Sequence, residues 1–343
     1  MATMDIFGQD AFSMVTLTDA VKEIDYKPSL LRDMNLFEKQ PSRTKTIMLE
    51  KKGDTLALIP VSERGAPLDQ ATKDKRDIRH VDTSRLAKQD VITADEIQNI
   101  RAFGTESELK QVQAEVAERI MSLEDDLELT EENMMLGAVQ GIVVDADGST
   151  VLHNWFDFWG VTQPVEVDWD LDNGSPAQGV LVKKCKATIR TMQKAGKGVF
   201  TPATEVIGIC GDAFYDDLVA HKEVQGNTIT PQEAERLSNE FGNAYGAIRF
   251  GKITWINYRG TDDDSTVAVG DDKVKFFPRN AKGVFKHALA PAEFMPYVNQ
   301  PGKERYAMTL PDLKRAAFVE VELYSYPLMY CTRPAMLLRG KRT

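Results

Sequence analysis

Four histidines are the residues best suited to move a proton or hold a metal near neutral pH: His80, His153, His221 and His287. They are dispersed, with no HxxxH or HxH pair, so no zinc spacing exists. Three cysteines, Cys185, Cys210 and Cys331, are odd in number, far apart and without a CxxC. They read as reduced structural thiols, and none sits in a nucleophile signature. Asp262-Asp263-Asp264 is a carboxylate cluster of the kind a hard divalent cation accepts; a solvated loop is the better reading. Asp125-Asp126, beside Glu124 and Glu128, has the look of a catalytic carboxylate pair. On a long acidic helix, such residues are expected simply to face water. Gly196-Lys197-Gly198 hints at a phosphate loop, but GxxxxGK[ST] is absent, since Gly198, followed by Val199, stands where it needs Ser or Thr. GxSxG and GxGxxG are both absent. These residues define no reaction, so the expectation is a protein that is not an enzyme and needs no cofactor or metal.

The chain of 343 residues has room for one large or two medium domains. With 42% hydrophobic and 27% charged residues it is not a wholly disordered chain. Its net charge of −10 argues against coating nucleic acid with its whole surface, although a local basic patch stays open. No apolar run reaches the roughly 18 residues of a membrane span. Met1-Ala2-Thr3-Met4-Asp5 lacks the order of a signal peptide, so synthesis in a cytoplasm is expected.

The elements follow from pattern. Residues 1–43 read as an arm with scattered apolar residues, a short helix over Leu17–Ile24 and a helical piece near Arg32-Asp33. Such an arm has no core of its own and must lie on something else. Residues 44–96 read as an extended loop. A strand over Thr44–Glu50, a turn at Lys51-Lys52-Gly53-Asp54 and a strand over Thr55–Pro60 lead into a charged tip, and Thr83–Ile92 returns. Hairpins with so little core are marginal alone.

The clearest element is a long helix over residues 106–139. Thr105 and Glu108 fit a capping box. Leu109, Val112, Val116, Ile120, Leu123 and Leu127 form one apolar stripe. Between Glu106 and Glu132 ten acids face two bases, a net of −8. A hairpin is expected over residues 142–152, turning at Asp145–Gly148. A helix is expected over Pro176–Ala195, and a compact α/β region from Glu205. That region holds strands Val206–Cys210 and Ile253–Tyr258 and a helix Ala213–Ala220. One long strand, Ala317–Cys331, closes the chain. An arm and a hairpin without cores, one spine helix and no catalytic set together describe a self-assembling structural protein.

Several segments carry a resemblance. Leu323-Tyr324-Ser325-Tyr326-Pro327-Leu328-Met329-Tyr330, followed by Arg333-Pro334, resembles the Ser-x-Pro-Leu closing segment of lambda-type tailed-phage major capsid proteins. Arg64-Gly65-Ala66-Pro67, Asp90–Glu96, Arg101-Ala102-Phe103-Gly104 and Phe276-Phe277-Pro278 ahead of Gly283 are similar to further segments of that family. The similarity covers nearly the whole chain.

The resemblance implies an α+β tailed-phage capsid fold. Its parts are an arm (1–43), an extended loop (44–96), a peripheral domain (97–205), an axial domain (206–316) and a final strand (317–343) returning to the peripheral domain. It implies a subunit of an icosahedral shell, built through pentamers and hexamers in a procapsid that expands. Its partners would be copies of itself, a scaffolding protein, a portal, a small decoration protein and packaged double-stranded DNA on the inner face. Assembly would take place in the host cytoplasm, ending in the virion, with no membrane involved. An encapsulin-like compartment is the alternative on the same fold. Charge suggests the subunit contact. Arg43 to Lys88 carries eleven bases against seven acids, a net of +4. The loop cations Arg64, Lys73, Lys75 and Arg76 would then lie over a neighbour's helix acids Glu115, Glu118, Asp125 and Glu128.

Overall fold

A computed structural model describes residues 30–52, 76–94, 96, 108–226, 246–258, 268–315 and 317–343. The helix expected at Leu17–Ile24, the strand at Thr55–Pro60, Thr105 and the Asp262–Asp264 loop lie outside the described residues. One helical turn, α1 (Leu30–Asp33), buries Leu30 and Leu31. Strand β1 (Glu38–Pro41) follows. β2 (Thr46–Lys52) and β3 (Arg76–Asp82) pair antiparallel, from Thr46↔Asp82 to Lys52↔Arg76. Lys51 and Lys52 are therefore strand and not turn, because the ladder runs on through them. β4 (Leu86–Thr93) does not return to this hairpin. It pairs with residues Phe318–Ser325 instead, since an eight-residue strand gains more on a buried strand than on a thin hairpin.

α2 (Glu108–Gln140) is the spine. Val116, Ile120, Leu123 and Leu127 are buried on one stripe, and its last turns, Met134 to Val139, sink wholly into the core. Gly141 ends it at φ +87°, and a Cβ there would stand 2.3 Å from the Phe156 ring. β5 (Ile142–Val144) and β6 (Val151–Asn154) form the expected hairpin. Asp147 fixes its turn by accepting from Ser149 N, Thr150 N and Thr150 Oγ1 at 2.9, 2.8 and 2.6 Å. α3 (Trp155–Trp159), β7 (Val167–Asp168) and α4 (Val180–Gly196) come next. Gly179 at φ +83° stops α4 from reaching back to Pro176.

The remainder is β8 (Glu205–Cys210), α5 (Asp212–Ala220), α6 (Lys222–Gln225), β9 (Ala247–Phe250), β10 (Ile253–Asn257), β11 (Lys273–Arg279), β12 (Phe285–Leu289), β13 (Tyr306–Pro311), β14 (Phe318–Ser325), β15 (Pro327–Cys331) and β16 (Leu338–Lys341). A six-stranded mixed sheet has the order β7-β16-β11-β8-β10-β9. Trp169, Phe214, Trp255 and Phe276 pack together on it, mostly edge to face, with centroids 5.1–6.3 Å apart. Two three-stranded sheets, β1-β12-β15 and β13-β14-β4, flank the spine. The expected single closing strand is thus two strands in different sheets. Pro327 opens β15 because it has no N–H to continue a ladder, and the chain changes partners there.

Candidate functional site: an ion cluster beneath the spine helix

The acids of α2 do not all face water. Glu124, Glu128 and Glu131 follow the stripe Ile120, Leu123 and Leu127 by helical spacing, so they lie along its flank. Arg305, just before β13, meets them. Its guanidinium donates to both carboxylate oxygens of Glu131 at 2.6 and 3.1 Å, and its Nε to Glu124 at 2.6 Å. Arg32 of α1 enters from the other side, donating to Glu131 at 2.6 Å and Glu128 at 3.3 Å. Ser325, at the end of β14, donates to Glu131 at 3.0 Å and accepts from Arg305 at 3.3 Å. Glu132 accepts from the Leu31 backbone N–H at 3.2 Å and from the Tyr258 hydroxyl at 3.0 Å.

Electrostatics inside the cluster are uneven. Burial alone would raise the Glu131 carboxyl, but Arg305, His287 and Arg32 hold it down to about 2. Burial pushes Glu128 up to about 7, with Arg32 only partly offsetting it. Burial also raises Glu124 against the pull of Arg305. Burial would lower Arg305, yet Glu131 and Glu124 raise it above the ordinary arginine value. His287 on β12 is buried and pushed down to about 4 by loss of water. Its Nε2 has no hydrogen-bond partner among the described residues. Four carboxyls against two guanidiniums would leave an excess of buried negative charge, which Glu128, raised to about 7, relieves by keeping its proton up to near neutral pH.

No reaction follows from this arrangement. Every strong donor is committed to a neighbour, and the cluster joins α1, α2, the approach to β13 and the end of β14 as one clasp. Among the described residues no group of His, Cys, Asp or Glu is placed to hold a metal. The three cysteines are buried and unpaired. Burial pushes Cys185 and Cys331 up to about 12 and Cys210 well above the ordinary thiol range, so none forms a thiolate nucleophile.

The expected contact residues divide. Arg64, Lys73 and Lys75 lie outside the described residues, and Arg76 opens β3. Glu115 accepts from Arg119 one turn on, at 3.1 Å. Glu118 is exposed and Asp125 half-buried. Glu128 is a correction. It is 6% exposed and paired with Arg32 of its own chain, so it is no part of an outward acidic face. Lys88 of β4 likewise pairs with Asp126 on the spine helix of its own chain, and Arg119 donates to Asp90 at 3.1 Å. Arg32, Arg305 and Glu131 were not singled out from the sequence as site residues, and Ser325 only as the Ser of the Ser-x-Pro-Leu segment. The acids at positions 124, 128 and 131 carry a signal, sharing the spacing of the apolar stripe; the two arginines carry none.

The long spine helix, the β2–β3 hairpin and the mixed sheet are those of a tailed-phage capsid fold. Residues 13–342 match the family described as Phage major capsid protein E, and the chain belongs to that family. It is 24% identical to the major capsid protein of Salmonella phage Felix O1 over 95% of each chain. It is also 24% identical to that of Pseudomonas phage KPP10, over 97% of each. Among solved structures, a prophage protein of E. coli CFT073 described as a capsid protein superposes with a TM-score of 0.59. That match has 16% identity, over 96% of this chain and 99% of the other. The protein is a structural, shell-forming subunit of a phage capsid, and the compartment alternative is not favoured.

Proposed function

We propose that copies of this chain build an icosahedral shell around a phage genome, through pentamers and hexamers in a procapsid that later expands. The division into arm, extended loop, peripheral domain, axial domain and final strand belongs to this reading. So do a scaffolding protein, a portal, a decoration protein and packaged double-stranded DNA as partners, and assembly in the host cytoplasm. The chain has no turnover of its own in this reading.

The supporting observation is the β2–β3 hairpin. Leu49 and Val81 are buried on its inner face, while Met48 and Ile78 on the outer face are 69% and 55% exposed. A two-stranded ribbon that shows apolar side chains to water is completed by a neighbour. The loop cations Arg64, Lys73, Lys75 and Arg76 would rest on the neighbour's helix acids Glu115, Glu118 and Asp125, of which Glu118 is the fully exposed one. Each exposed pair contributes only about 0–1 kcal/mol, but a lattice repeats every contact. Negative-stain microscopy of the purified chain tests the reading. Rings or closed particles are expected; a compact, strictly monomeric protein at high concentration would overturn it.

A further inference from the structure

One side of α4 carries a single file of cations. Lys183, Lys186, Arg190, Lys194 and Lys197 follow at spacings of three, four, four and three, and all five are exposed. Those spacings keep them on one side of the helix, with Lys197 just past its end. The buried stripe Leu181, Cys185, Thr188, Met192 and Gly196 occupies the opposite side. Lys183 to Lys194 spans about 16 Å at about 1.5 Å per residue. No acid occurs anywhere in α4. Among the described residues, Lys183, Lys186, Arg190 and Lys194 make no ion pair.

Helix stability does not account for this row. Lys183 and Lys186 stand in the N-terminal half, where the helix dipole disfavours cations; the Glu223 carboxylate at that end accepts from the backbone N–H groups of Gly179, Leu181 and Val182 and pairs with neither lysine. Solubility does not account for it either, because the chain already carries −10. A protein partner would want an apolar anchor on this face. None of the large hydrophobic side chains exposed in this structure lies on α4. Cations in file with neither acids nor apolar anchors suit a phosphate backbone, and a DNA duplex offers one charge per about 1.7 Å of axis. Four of the five are lysines, point charges without the planar fork that reads bases, so the contact is independent of sequence.

We propose that the exposed face of α4 is the contact surface for the phosphate backbone of double-stranded DNA. The proposal rests on the shell reading and adds an orientation to it: α4 turns inward. A chain of −10 repels DNA elsewhere, so each copy binds weakly and the lattice multiplies the contact.

The test titrates the purified full chain with a short fluorescent DNA duplex over a range of salt. Wild type is compared with the triple variant K186Q/R190Q/K194Q and with K314Q/R315Q as a control on another exposed segment. Thermal melting verifies that each variant is folded. In the triple variant the log–log dependence of affinity on salt should lose a slope of about 2.7, at about 0.9 per phosphate contact. Affinity at low salt should drop about tenfold or more, and the control should match wild type. A wild-type slope in the triple variant overturns the proposal. So does the competing outcome, in which a peptide of residues 1–29, net −3, depends on these three residues while DNA does not. Particle formation is scored separately by microscopy. Particles with an unchanged DNA slope sink this inference and leave the shell reading standing. A wild type that forms no particles sinks the shell reading, while the titration still reads the stripe.

Discussion

Arg305 grips Glu131 through two guanidinium nitrogens at 2.6 and 3.1 Å, and the two residues are only 6% and 1% exposed. They lie far apart in the chain, and the pair fastens the approach to β13 onto the spine helix. A bidentate pair of this kind has a defined geometry as well as a strong attraction. Desolvation offsets much of that attraction, so the pair fixes how the elements sit more than it adds net stability.

Removing one partner should expose the asymmetry. Arg305→Ala leaves Glu131 buried with only Arg32 and Ser325, and should destabilise the subunit by about 3–5 kcal/mol. Arg305→Met combined with Glu131→Leu and Glu124→Gln should recover most of that loss, because neither glutamate then leaves a charge without Arg305. Urea unfolding of the three proteins decides the matter; equal midpoints for Arg305→Ala and wild type would refute the clasp.

Stability should fall steeply in acid. Glu131 is held at about 2 against an ordinary 4.5, so its contribution is present above pH 4.5 and lost as pH falls toward 2. His287 is held at about 4 against 6.5; the unfolded chain takes up its proton first, so stability falls as pH drops from 6.5 to 4. Glu128 has the opposite sign: raised to about 7, it costs stability as pH rises from 4.5 to 7. The slopes of His287 and Glu128 therefore oppose each other between pH 4.5 and 6.5. Glu128→Gln should remove one of them, so that stability climbs through this window where wild type is nearly flat. Midpoints measured from pH 3 to pH 7.5 check this, and parallel curves for the two proteins would contradict it.

The loop contact should be electrostatic. Reversing Arg64, Lys73, Lys75 and Arg76 to Glu together should abolish most particle assembly even at low salt. Wild-type assembly should weaken as salt rises, since screening shortens to about 8 Å at physiological ionic strength. Unchanged particle yield in the quadruple variant would remove the idea.

The thiols should be silent in the native protein. Cys185, Cys210 and Cys331 are all 0% exposed, and burial raises each well above the ordinary range. A thiol reagent at pH 8 should label none of them until denaturant is added. Rapid labelling of one thiol in the folded protein would show that its site opens.

Local pattern alone determined much of this protein. The stripe Val116, Ile120, Leu123 and Leu127 announces the spine, because helical period and burial coincide there. Asp145 to Gly148 announces a hairpin, and the missing catalytic sets direct attention to assembly. Tertiary structure decided the rest. The fate of the helix acids is the main case: Glu118 faces water, while Glu128 and Glu131 turn under the helix to meet Arg32 and Arg305. Nothing near those arginines in sequence marks them as partners, since the pairing exists only once α1 and the approach to β13 pack against α2. The closing strand shows the same limit. Its residues read as one run of strand, and only the competition between β12 and β13 for its two halves splits it at Pro327. Periodicity reports which face of an element is buried; which distant element covers that face is settled by long-range packing.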